Sequence, residues 1–223
     1  ILTQASSLHP EHYHATDTAV LDAGTAPHIV VDDRDSRIVV TPSYDGRVHV
    51  ADQSESFGFV WRSRGQRSRL AIARTGDGVA VSRPSTGGLG INVLGYEDAR
   101  VSLSIPPGSY LDVKGCDGAD VRGLRAQSVS VTCQDGSLRV SDLAVQSGTL
   151  QTADGSIRVA LAASDVTVHA VTGDGSLRFN GRRVRSNDDS DGAEGTFQLG
   201  SGSGRLEVGT HDGSIRITTT GVQ

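Results

Sequence analysis

The sequence predicts an all-β chain: a right-handed parallel β-helix (β-solenoid) with a less regular β region on its N-terminal side. Three observations carry this. The phrase Asp-Gly-Ser-(Leu/Ile)-Arg-(Val/Phe/Ile) occurs four times, starting at Asp135, Asp154, Asp174 and Asp212. The first intervals are 19 and 20 residues and the last is 38, close to two periods, and a fixed period near twenty marks stacked coils. Polar and apolar residues alternate with period two through the repeats, and no useful 3.6-residue pattern competes with it.

Each copy reads as a turn followed by a strand. In Asp135-Gly136 the glycine can take positive φ and the carboxylate can bond nearby amides. Leu138 and Val140 then point inward, while Ser137 and Arg139 point outward. The same parity puts Ile157, Val159, Leu177, Phe179, Ile215 and Ile217 in the core. It puts Arg158, Arg178 and Arg216 outside. A second strand lies between the phrases: Val129, Val131 and Cys133 alternate with Ser128, Ser130 and Thr132, and Val166, Val168 and Ala170 do the same further on. Leu150 and Thr152 fill that slot in a weaker copy. One such unit cannot bury its apolar side alone, so units must stack.

Along the chain, residues 1–25 read as a cap or lead-in segment, polar and His-rich, in which His9, His12 and His14 read either as metal ligands or as part of a polar terminal segment. Residues 26–114 read as irregular β structure continuous with the solenoid, and residues 115–220 as regular repeats interrupted by an inserted loop at 180–195. Phe57–Arg62 and Ser68–Arg74 flank Ser63–Arg67 and read as a hairpin with a basic tip. A degenerate copy, Ser203-Gly-Arg-Leu-Glu-Val208, suggests that the solenoid runs on through the long interval with one loop extruded.

Composition limits the function. The net charge of −5 argues against general nucleic-acid binding. The chain contains no methionine, so it reads as a processed or excised segment, and no apolar run is long enough to span a membrane. Membrane attachment would therefore come only through a segment not in this chain. Cys116 and Cys133 can be neighbours on adjacent coils, but strict register puts them on opposite pleat faces, so a bridge needs a bulge or slip. A disulfide and two buried thiols both stay open.

Val101-Ser-Leu-Ser-Ile-Pro-Pro-Gly-Ser-Tyr-Leu-Asp-Val-Lys-Gly115, followed by Asp-Gly pairs at 117, 135, 154, 174 and 212, resembles the bacterial "putative adhesin" β-strand-repeat proteins. The resemblance covers about Ala26 to Thr219 and implies a β-solenoid-like, envelope-associated protein. It supplies no catalytic residues.

The candidate chemistry is sparse. Arg139, Arg158, Arg178 and Arg216, with Arg122 extending them, form an outward column. It reads either as a solvated strand face or as a rail for acidic polysaccharide, teichoic-type polymer or lipid headgroups. Trp61, Arg62 and Arg64 in the basic hairpin read as an end plug with a solvated tip, or as a grip for a glycan or partner. Asn187, Asp189 and Asp191 match the opening of an EF-hand loop, but Gln198 holds the twelfth position, so an acidic loop competes with a Ca²⁺ site. Asp135, Asp154 and Asp174 are too widely spaced for Ca²⁺ and read as turn residues. No nucleophile elbow or selected carboxylate pair is visible, so the expectation is no enzyme and no cofactor. The expected role is a non-enzymatic, extracytoplasmic surface or envelope protein acting in adhesion or as a scaffold. The alternatives are a self-assembling subunit, stacking end to end or side by side through a C-terminal strand at Ser214–Thr220, and a carbohydrate-binding or carbohydrate-active protein.

Overall fold

In the computed structural model the described residues are 11–34, 36–62, 70–83, 90–162, 165–184 and 191–220. All regular structure among them is β. The strands are β1 (Glu11–Leu21), β2 (His28–Asp32), β3 (Arg37–Pro42), β4 (Val48–Arg62), β5 (Ala71–Thr75), β6 (Gly78–Ser82), β7 (Gly90–Ile105) and β8 (Tyr110–Cys116). There follow β9 (Ala119–Arg122), β10 (Arg125–Asp135), β11 (Leu138–Asp154), β12 (Ile157–Ala162), β13 (Val166–Phe179), β14 (Arg182–Val184), β15 (Ala193–Leu199) and β16 (Gly204–Thr220).

The strands form two stacked faces. The first runs β5, β6, β2, β8, β10, residues 147–154 of β11, residues 204–212 of β16, residues 166–174 of β13, then β15. The second runs β1, β4, β7, β3, β9, residues 138–143 of β11, β12, residues 215–220 of β16, residues 177–179 of β13, then β14. Neighbouring coils pair in parallel, while β1, β4, β5, β14 and β15 pair antiparallel at the two ends. The period-two reading of the core holds through the repeats except at Phe179, which is only partly buried. Leu138, Ile157, Leu177 and Ile215 are fully buried, and so are their first-face counterparts Val129, Leu150, Val168 and Leu206.

The coils do not stack in sequence order. The last coil, β16, lies between β11/β12 and β13. The end-stacking expectation placed Ser214–Thr220 at an exposed end, and that placement is corrected: Ile215–Thr220 pair with β12 along one edge, and β13 covers the other edge as far as Ile217. The N-terminal end mirrors it. The first coil (β2–β3) sits inside the stack, and the later β6–β7 coil lies outside it. At each end a pair of antiparallel strands comes between the two exchanged coils in sequence, β4 and β5 at one end, β14 and β15 at the other. An outer coil must be free along one edge to accept such strands, so the coil that follows fills the inner slot.

Three further expectations change. The region 180–195 carries β14 and the start of β15 rather than one extruded loop. The lead-in segment contains β1, paired with β4 over Leu21↔Val48 to Glu11↔Gly58. Phe57–Arg62 pairs with β7, from Phe57↔Tyr96 to Arg62↔Gly90, while Ala71–Thr75 pairs with β6. At the C-terminal end of the stack, the rings of Phe179 and Phe197 stack with centroids 4.2 Å apart and cover the core.

Candidate functional site

The Asp-Gly turn sets the register that builds the site. Across the coils Asp135 aligns with Asp154, Asp154 with Asp212, and Asp212 with Asp174. The glycines pack against one another: a Cβ on Gly155 would lie 1.9 Å from the Gly136 oxygen, and one on Gly175 would lie 1.8 Å from the Gly213 oxygen. Main-chain groups close these turns. Gly136 N donates to Asp154 O at 3.0 Å, and Gly155 N donates to Asp212 O at 2.9 Å. The exposed carboxylates of Asp135, Asp154, Asp174 and Asp212 take no hydrogen bond among the described residues, contrary to the capping role expected of them.

Four residues after each aspartate, the second-face strand presents an arginine. The ladder runs Arg139↔Arg158↔Arg216↔Arg178↔Arg183. Neither the position of Arg216 between Arg158 and Arg178 nor the fifth rung at Arg183 was legible in the repeat spacing. All five are exposed, and among the described residues none forms an ion pair. Asp120, aligned with Arg139, closes one end. Arg122 grips it through both oxygens, with Nε donating to Oδ1 at 2.8 Å. That hydrogen bond holds the Asp120 carboxyl below the usual range against the opposing effect of burial, and the charges of Arg37 and Arg139 add to it.

The column beside the arginines is small: Ser141, Ala160 and Thr218 stand in register, with Arg122 at its head. Small side chains beside long ones leave a shallow groove of about 340 Å³, walled by Arg139, Arg158 and Arg216. On the other side of the ladder runs a serine column, where Ser156 Oγ and Ser214 Oγ are 3.3 Å apart. Neighbouring guanidinium charges about 4.8 Å apart repel by about 1 kcal/mol or less in water. The ladder is thus tolerable when solvated, and it is a row of unneutralised cations. The first face is different. Its groove of about 440 Å³ mixes both charges, with Arg205 Nε on Glu207 at 2.7 Å and His169 Nε2 at 3.7 Å from Glu194.

A buried polar column runs along the corner between the faces. Cys116 and Cys133 are joined as a disulfide with Cα atoms 4.5 Å apart. The register slips between Thr132 and Cys133, and Gly115, at φ +74°, is the extra residue that turns Cys116 inward. The column continues through Thr152, Thr210 and Thr172. Their hydroxyls donate to turn carbonyls, as Thr172 Oγ1 does to Gly213 O at 3.0 Å. Towards the N-terminal end, Arg83 donates to Asp33 at 3.0 Å and to Asp52 at 2.8 Å, all three side chains being almost completely buried. Burial alone would lower the Arg83 pKa, but the two carboxylates outweigh it and raise it. Sequence reading missed this cluster. Its signal was Asp33, which continues the inward parity of Ile29 and Val31 and so demands a partner.

Other expected site residues are not brought together. Asp191 lends its main-chain oxygen to Gly175 N at 3.3 Å, and its carboxylate is in no cluster of metal-ligating side chains among the described residues. Asn187, Asp189 and Arg64, together with the side chains of Trp61 and Arg62, lie outside the described residues.

Residues 28–223 match the model of the family described as Toastrack DUF4097. The chain belongs to this family. Among solved structures, this Toastrack chain is similar to one described as a putative cell adhesion protein from Clostridium sporogenes, at 10% identity and a TM-score of 0.58. The match covers 93% of this chain and 100% of that one, and it shows a shared fold. A second, described as a putative adhesin from Bacteroides fragilis, matches at 11% identity with a TM-score of 0.35, covering 92% of this chain and 97% of that one. No curated protein matches the sequence.

Proposed function

We propose that this Toastrack protein is a non-enzymatic, exported surface or envelope protein whose stack, a right-handed β-helix, is a rigid scaffold for adhesion. The observation that carries this reading is the arginine ladder: the chemistry is displayed as a column along a face rather than gathered in a cleft. Right-handed passage from one parallel strand to the next is the hand that right-twisted strands favour. A disulfide at the corner of two coils suits an oxidising compartment. The Clostridium sporogenes protein of the same fold is described in terms of cell adhesion, and that description supplies the adhesion half of the proposal.

The test is protease shaving of intact native cells that carry a tagged full-length protein, with thiol trapping of Cys116 and Cys133. The expected result is cleavage at the cell surface with both cysteines oxidised, and weaker attachment of cells in which the gene is deleted. A cytoplasmic protein with free thiols would overturn the reading.

A further inference from the structure

We propose that the second face binds a linear, carboxylate-bearing polysaccharide laid along the stacking axis in the groove beside the arginine ladder. This deepens the surface reading by naming the ligand class and its site. Five exposed arginines stand in register without ion pairs among the described residues, so their forks are free for carboxylates. A guanidinium binds a carboxylate through two parallel hydrogen bonds, which fixes direction as well as charge. A polyuronate offers one carboxylate per sugar ring, an advance comparable to one coil step of about 4.8 Å. Four steps from Arg139 to Arg183 span roughly 19 Å, enough for about five rings.

The surroundings fit a sugar. Beside Arg139, Arg158 and Arg216 the groove floor of Ser141, Ala160 and Thr218 admits a chain against the sheet, and Arg178 and Arg183 continue the row of charges beyond it. The serines of the repeat flank the ladder with hydroxyls that can donate to or accept from ring oxygens and hydroxyls. Asp120 marks where the track ends, because a polyanion passing it meets a buried carboxylate already held by Arg122. Other polyanions fit less well. Single-stranded nucleic acid needs aromatic platforms for its bases, and the residues lining this groove include none. An anionic membrane is gripped by basic residues set beside apolar or aromatic anchors, and the lining includes no exposed apolar side chain.

The experiment is calorimetric titration of the purified full chain with oligogalacturonides of about two to eight rings at low salt. Affinity should rise with length up to about five rings and then level off, and it should weaken as salt is raised. The Arg158→Glu/Arg216→Glu variant should lose at least about tenfold in affinity. The Arg74→Glu/Arg125→Glu variant, with the same net charge but both changes off the ladder, should lose less than about twofold. If the first variant does not fold, Arg158→Gln/Arg216→Gln replaces it, with folding confirmed by melting. The proposal is overturned if the five-ring oligomer does not bind, if its methyl ester binds equally well, or if both variants weaken binding alike. Tighter binding of inorganic polyphosphate of matched length also overturns it, and assigns the ladder to phosphate. Because binding is read on pure protein and location on cells, failure here leaves the surface reading standing, and a cytoplasmic location leaves the binding result standing.

Discussion

Gly155→Ala is the sharpest structural test of the repeat. Gly155 has φ +149°, a region open essentially to glycine, and its added Cβ would lie 1.9 Å from the Gly136 oxygen. An ordinary C···O contact is about 3.3 Å, so the two coils must part locally by about 1.4 Å. That displacement breaks Gly136 N to Asp154 O and Leu138 N to Ser156 O, both now 3.0 Å. Each bond is worth about 1 kcal/mol, and the dihedral strain adds about 1–3 kcal/mol. The expected loss is about 3–5 kcal/mol, read by urea unfolding followed by far-UV circular dichroism. Gly181→Ala is the control. Its φ is +78° and its added Cβ meets nothing within 4 Å, so only the dihedral cost of about 1–2 kcal/mol applies. If the two substitutions cost the same, the glycines are not packed coil on coil and the register argument fails.

Arg83→Met should cost about 3–5 kcal/mol by leaving Asp33 and Asp52 buried without their guanidinium, and adding Asp33→Asn and Asp52→Asn should restore part of it in the same unfolding assay. The disulfide closes a sequence separation of 17, so Cys116→Ala/Cys133→Ala should lower stability by about 3 kcal/mol. Cys116→Ala/Cys133→Thr should recover about 1 kcal/mol of this, because threonine at that corner can donate to the turn as Thr152 does. Because the folded Asp120 pKa is depressed, its stabilisation is fully present above the unfolded value of about 3.9 and is lost as pH falls through the folded value. The melting-temperature gap between wild type and Asp120→Asn should therefore be widest above pH 4 and close below it; a gap that widens on acidification would contradict the Arg122–Asp120 pairing.

The alternation within each repeat was enough to place Leu138 inside and Arg139 outside, because a strand has only two sides. It could not order the coils. The phrases at Asp174 and Asp212 differ only in conservative apolar positions, so either can stack on the phrase at Asp154. The choice is made by β14 and β15, which pair antiparallel with β13 and so keep that coil at the end. The fifth arginine was hidden for the same reason: Arg183 joins the column from an antiparallel strand that lies outside the repeat. The hairpin at Phe57–Arg62 was misread because local sequence favours a nearby partner, whereas the strand that pairs with it begins at Gly90. The cysteine pairing turned on a bulge at Gly115 that a uniform period cannot show.

The interleaved coil order fixes both the ladder and its groove, and paired cysteines test it directly. Ser156, Ser214 and Ser176 are successive neighbours in the stack, with Ser214 between the other two. Three double variants, Ser156→Cys/Ser214→Cys, Ser214→Cys/Ser176→Cys and Ser156→Cys/Ser176→Cys, are oxidised mildly and mapped by peptide mass spectrometry. Efficient cross-links are expected in the first two and none in the third, whose positions are two coil steps, roughly 10 Å, apart. A cross-link between 156 and 176, with 156 and 214 left unjoined, would mean that the coils stack in sequence order and would overturn the interleaved arrangement.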